Sequence, residues 1–281
     1  MALTKATNRM TKGAAFNILD YGAVGDGSTD DTAAIQAALN AAEDTGTYAT
    51  VICPPSPSGN EYIITGIVVK SKTTFLGTGG VLKLKNNTAN NAAQNFYVIR
   101  NFDGDGSYTQ VVYDGLIVDG NSANNTLYNV CDSITCSGEG SIVRNCRILD
   151  AADSGIMFSA AKHGMCINNY IDGVKDAGIY VNNSSETSND LEGAVISGNT
   201  CQNCDYGGIN IKRSSGYITV SNNTIINCGN GFTIEEFGTG SGGEPDHLII
   251  TNNVVKDIGF NFRALSPVPS QSGCIIQRST H

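Results

Sequence analysis

The stretch "NNYIDGVKDAGIYVN" occupies Asn168 to Asn182, and the chain says nearly the same thing four more times. "NCRILDAADSGIMFS" starts at Asn145, "GNTCQNCDYGGINIK" at Gly198, "NNTIINCGNGFTIE" at Asn222 and "NNVVKDIGFNFR" at Asn252. The starts lie 23, 30, 24 and 30 residues apart. Each copy holds a polar turn, a short apolar strand, a glycine turn and a second, alternating strand. No copy contains a helical run, which excludes ankyrin-like and TPR-like repeats. Leucines are too few for leucine-rich repeats. What remains is an all-β chain folded as a single-stranded, right-handed parallel β-helix, with one coil per copy stacked at about 4.8 Å. The extra length falls in "NNSSETSNDLEG" (Asn182 to Gly193) and "FGTGSGGEPDH" (Phe237 to His247), read as corner loops.

Stacking makes the reading specific. Asn145, Asn168, Asn222 and Asn252 fall at one turn, which predicts an asparagine ladder. Ala151, Val174, Cys204, Cys228 and Ile258 fall in one interior row. Cys204 and Cys228 are then neighbours, read as buried thiols, with a disulfide as the alternative. After each glycine, Ile156 and Phe158, Ile179 and Val181, Ile209 and Ile211, and Phe232 and Ile234 point inward. One outward row is Met157, Tyr180, Asn210, Thr233 and Asn261. The other is Ser159, Asn182, Lys212, Glu235 and Arg263.

Composition agrees with a turn-rich solenoid. The 281 residues include 33 glycines, only 15 % are charged, and there is no tryptophan. Glycine and asparagine tolerate the left-handed backbone of tight turns. A net charge of −9 argues against a nucleic-acid partner, since phosphate neutralisation needs basic residues. No apolar run approaches the length of a membrane span, and the first residues lack the apolar region of a signal peptide. The nine cysteines do not read as a disulfide framework. "CQNC" (Cys201 to Cys204) has metal-motif spacing but no second pair, so the cysteines read as small apolar core residues.

Near the start, "YGAVGDGSTDDTAAIQAAL" (Tyr21 to Leu39) feeds a glycine loop into a helix. Its order is G-x-x-G-x-G with no following lysine, so it is not a phosphate loop. Asp26, Asp30 and Asp31 stand where a phosphate would, and suit a helix N-terminus instead. Ala33, Ile35, Ala38 and Leu39 form one apolar stripe. An open β-helix end needs covering, so residues 1–45 read as an N-terminal segment with a capping α-helix, and 46–281 as the β-helix.

"FNILDYGAVGDGSTDDTAAIQAALNAA" resembles the N-terminal signature of the pectate-lyase-like β-helix superfamily, and "MALTKATNRM" resembles the start of many phage tail-fibre and tailspike proteins. The resemblance implies a polysaccharide ligand and a tailspike-type depolymerase, hydrolase or lyase, on a phage tail or outside the cell. It leaves two alternatives, a non-catalytic tail module and a bacterial uronate lyase or epimerase. A homotrimer without a membrane anchor is expected. "DYGGINIKRSSGYITVSNNTI" is similar to a pectate-lyase coil, but the family's calcium positions hold Tyr206 and Asn210 here, and only Lys212 matches. No cofactor is expected, with Ca²⁺ as the remaining possibility.

The candidate chemistry lies on one face. Lys212 and Glu235 are one coil apart, read as a surface ion pair or as base and acid. Asp153 and Asp176 hold equal positions on adjacent coils. They suit a retaining glycosidase pair, a calcium site, or two turn aspartates. Tyr180, Asn182, Asn210, Arg213, Arg263 and His163 are the expected substrate-binding residues, since sugars take aromatic faces, amides and charges.

Overall fold

A computed structural model describes residues 15–91, 95–103, 106–126, 130–159, 161–182, 193–212, 217–235, 248–258, 260–264 and 275–276. Its strands form three long parallel sheets. Sheet A has ten strands, and sheets B and C have eight each. Each coil gives one strand to each sheet. The coil that carries the opening stretch puts Met165–Ile167 in sheet A, Tyr170–Asp172 in sheet B and Ala177–Asn182 in sheet C. The next coil repeats this with Val195–Ser197, Thr200–Gln202 and Gly207–Lys212. The chain is therefore a parallel β-helix, as the repeats predict.

Sequence sets the corners. Between sheets A and B, Asn145, Asn168, Asn222 and Asn252 have φ of 55°, 55°, 57° and 54°, and Gly198 has 70°. Asparagine and glycine enter this left-handed region most readily. These first asparagines make the turn, so they are not the expected ladder. The ladder is the next residue along. Asn169, Asn199, Asn223 and Asn253 are buried. Asn199 Oδ1 accepts from both the backbone N and Nδ2 of Asn169, each at 2.9 Å. Its own Nδ2 donates to the Cys166 carbonyl and to Asn223 Oδ1, each at 2.9 Å. Asn223 repeats the pattern with Asn253. Within the corner each amide reaches the coil on either side, so every buried polar atom finds a partner.

The interior is apolar. Ile156, Phe158, Ile179, Val181, Ile209, Ile211 and Phe232 are buried, with Ile234 packed beside them. Ala151, Val174, Cys204 and Cys228 form the expected buried row, with Ile258 partly buried at its end.

Helix α1 (Thr32–Glu43) buries Ile35, Ala38, Leu39 and Ala42. It packs on Phe16–Asn17, Ala49–Cys53 and Ile67–Val68, and so covers the N-terminal end of the core. Its aspartates act differently from simple caps. Asp30 accepts from the Thr32 backbone N at 3.1 Å. Asp31 precedes the helix without capping it through its side chain. Its buried carboxylate instead accepts from the N–H groups of Val24 and Gly25, at 2.6 and 3.0 Å. These are the loop donors a phosphate would need, and the chain fills them itself. Gly25 has φ +62°, and a Cβ there would lie 2.5 Å from Ser56 Cβ. The glycine loop is a close-packed hinge into the cap.

Candidate functional site

The strands of sheet C open on a column of carboxylates. Ile134, Ile156 and Ile179 are partners across three coils. Asp153 and Asp176 each lie three residues before their isoleucine, so they stand level. Asp132 lies two residues before Ile134 and stands level with Ser154. The backbone ties the column together, since Asp176 N donates to the Asp153 carbonyl at 3.2 Å. Side chains tie it further. Ser154 Oγ donates to Asp176 Oδ2 at 2.9 Å, and Cys131 N donates to Asp153 Oδ2 at 3.3 Å. Asp132 is fully buried and accepts from Ser154 N at 3.2 Å and Thr135 Oγ1 at 3.3 Å.

Burial and like charge act in the same direction here. Loss of water raises Asp153 to about 6, and neighbouring Asp176 adds to the rise. Asp132 is held well above the usual carboxylate range, first by burial and then by Asp153. Asp153 and Asp176 themselves are half-buried. The column thus holds, at its base, a carboxyl raised well above its usual range and, at its accessible part, one raised to about 6.

Past the carboxylates, two outward rows run along sheet C. Arg100, Thr135, Met157, Tyr180, Asn210 and Thr233 are successive strand partners. Ser159, Asn182, Lys212 and Glu235 form the second row. Lys212 and Glu235 are direct Cα partners, as expected, and Lys212 Nζ lies 6.0 Å from the Tyr180 ring centroid. The last coil is offset from the expected register. Thr233 pairs with Arg263, so Arg263 extends the Tyr180 row rather than the Lys212 row. The extra spacing is absorbed before Phe260, which pairs with Asn230.

The outward rows are less exposed than alternation alone predicts. Met157, Asn210 and Thr233 are buried. Asn182 Oδ1, Asn210 Oδ1, Asn230 Oδ1 and Thr233 Oγ1 are buried oxygens without a hydrogen-bond partner in the protein. Native proteins leave few such groups. These four lie on three consecutive coils of sheet C.

His163 does not join this site. It follows the strand Ile156–Ser159, whereas Asp153 precedes it, and its Nδ1 faces Glu139 Oε1 at 3.4 Å on an exposed turn toward sheet A. Arg213 lies outside the described residues. Asp132, Ser154 and Asn230 were not singled out from the sequence. Asp132 had a signal, since "CDSITC" echoes "ADSGIMF" with the glycine removed. Among the described residues, no three His, Cys, Asp or Glu side chains converge as a metal-holding group.

Comparison with known proteins bears on the fold and the family. The mannuronan C5-epimerase AlgE2 of Azotobacter vinelandii is 29 % identical over 258 residues, covering 87 % of this chain and 25 % of that protein. The chain spans a quarter or less of the curated relatives it matches. Among solved structures, the N-terminal fragment of bacteriophage phi29 gene product 12 superposes with a TM-score of 0.71 at 17 % identity, over 92 % of this chain and 45 % of that one. The family 28 exopolygalacturonase of Yersinia enterocolitica gives 0.61 at 17 % identity, over 89 % and 60 %. These two share the fold. The family model "Rhamnogalacturonase A/epimerase, pectate lyase-like" matches residues 15–241, most of the chain from its first described strand through the candidate site. The chain is therefore a member of the rhamnogalacturonase A/epimerase, pectate lyase-like family.

Proposed function

We propose that the protein binds a polysaccharide along sheet C and cleaves it at the carboxylate column. The observation that carries this is the pair Asp153 and Asp176. They sit one coil apart, half-buried, with one held near 6 and the other fixed by Ser154. A coil step of about 4.8 Å is close to the ~5–5.5 Å of retaining glycosidases. On this reading Asp153, protonated, gives its proton to the leaving oxygen, and Asp176 attacks or stabilises the sugar cation. Asp153 then takes a proton from the water that completes hydrolysis. Tyr180, Asn182, Asn210, Thr233 and Arg263 hold the chain of sugars. The same reading puts the protein on a phage tail or outside the cell, acting as a homotrimer of its 29.4 kDa chain.

The likeness to a mannuronan epimerase favours a second reading, proton abstraction from a uronate. Lys212 is then the base candidate, with Glu235 as its strand partner. A digestion panel that includes mannuronan and polygalacturonate separates the two. New reducing ends without absorbance near 235 nm support hydrolysis. A rise at 235 nm supports a lyase, and altered uronate stereochemistry an epimerase. Binding with no product sinks both in favour of a non-catalytic tail module. Light scattering at one chain mass would remove the trimer.

A further inference from the structure

Cys204 and Cys228 occupy the same corner of adjacent coils. Thr200 and Thr224 are strand partners, as are Gln202 and Ile226, which places Cys204 directly beside Cys228. The residue before each cysteine is an asparagine in the left-handed region, with φ 53° at Asn203 and 52° at Asn227. Two cysteines leaving the same turn in the same backbone conformation send their Cβ atoms in parallel. The coil spacing of about 4.8 Å lies inside the Cα separation that a disulfide spans. The two thiols make the same local contact, Cys204 Sγ with the Gln202 carbonyl at 3.6 Å and Cys228 Sγ with the Ile226 carbonyl at 3.3 Å, as expected of side chains leaving equivalent turns side by side.

The other described cysteines lack this arrangement. Cys201 stacks on Ile171 and Ile225, Cys166 on Val143 and Ile196, Cys136 on Phe158, and Cys53 on Gly77. The C-x-x-C spacing of Cys201 and Cys204 therefore does not mark a redox pair. Cys201 faces the core from the strand, and Cys204 pairs across coils. Cys204 and Cys228 are buried, but Asn203, Asp205, Asn227 and Gly229 around them are exposed. The sulfurs lie just beneath the surface of a corner.

We propose that Cys204 and Cys228 form an oxidisable staple between adjacent coils, open as free thiols in this structure and closed by a small-molecule disulfide. The Cys228 thiolate attacks one sulfur of oxidised glutathione and releases one glutathione. Cys204 then loses its proton and attacks the mixed disulfide, releasing the second. The protein loses two thiol hydrogens and the reagent is reduced to two thiols.

Oxidised glutathione is applied to the native full chain, followed by mass measurement and peptide mapping without reductant. The expected result is loss of two of the nine thiols, a Cys204–Cys228 cross-link, reversal by dithiothreitol, and a thermal midpoint raised by about 5–10 °C for a loop of this size. Cys204→Ser and Cys228→Ser should each abolish the cross-link, with Cys201→Ser leaving it intact. If either variant fails to fold, the mapping of the wild-type chain decides alone. Nine thiols unchanged, a link through another cysteine, a stable glutathione adduct, or a lowered midpoint on oxidation would overturn the proposal.

Discussion

Ser154 gives its hydroxyl hydrogen to Asp176 across one coil, 2.9 Å from oxygen to oxygen, while its own backbone N donates to Asp132. One serine therefore holds two of the three carboxylates. If Asp153 and Asp176 form the acid and its partner, Asp153→Asn and Asp176→Asn should each lower cleavage by about 10²–10⁴-fold with the fold retained. Ser154→Ala should cost less, and mainly in kcat. Full activity in Asp153→Asn would sink the assignment.

Asp153 must carry its proton to act as an acid. With its carboxyl at about 6, cleavage should decline as pH rises through that value. A rate that is flat from pH 5 to 8 on a polysaccharide the protein cleaves would remove Asp153 from that role.

Asp132 and Asp153 also shape stability. Both have folded values above the unfolded carboxylate value of about 4. The folded state therefore keeps protons that the unfolded state has lost. The stability these groups supply is complete below about pH 4, and falls by about 1.4 kcal/mol per pH unit per group as pH rises. For Asp153 the fall ends near 6, and for Asp132 it runs in the same direction. Urea unfolding of Asp132→Asn should show a shallower decline from pH 4 to 7 than the parent chain. An unchanged slope would contradict the burial argument.

Asn199→Ala would leave the Asn169 amide, the Cys166 carbonyl and Asn223 Oδ1 each short of a partner. The expected loss is about 3 kcal/mol by urea unfolding, from several buried groups that each lose a partner at once. Asn168→Gly, at the exposed turn residue just before the ladder, should cost far less. Equal losses would mean that the turn, and not the ladder, carries the stabilisation.

Much of this was legible because a β-helix repeats its instructions. The coil boundaries, the inward rows, the Cys204–Cys228 contact and the Lys212–Glu235 pairing all followed from aligning copies. The ladder was misplaced by one residue because "NN" offers two asparagines per turn. Only backbone conformation separates the one that turns from the one that is buried. Arg263 was misplaced because its copy is the most degenerate, and lacks the Asp or Asn that marks the strand start in earlier copies. Burial of Asn210 and Thr233 was not readable, since alternation reports direction and not cover. Asp132 was passed over because its coil lacks the glycine that anchors the alignment.

Ladder asparagines are separated by 30, 24 and 30 residues along the chain, and Cys146, whose backbone N donates to Asn169 Oδ1, by 23, yet each backbone N meets the next Oδ1 at 2.8–3.0 Å. The spine fixes where a coil must close and leaves the contour between closures free. Peripheral segments can therefore be lengthened, shortened or exchanged without rewriting the scaffold. Such a molecule can acquire new recognition surfaces as a rack accepts new fittings, by changing what hangs from it.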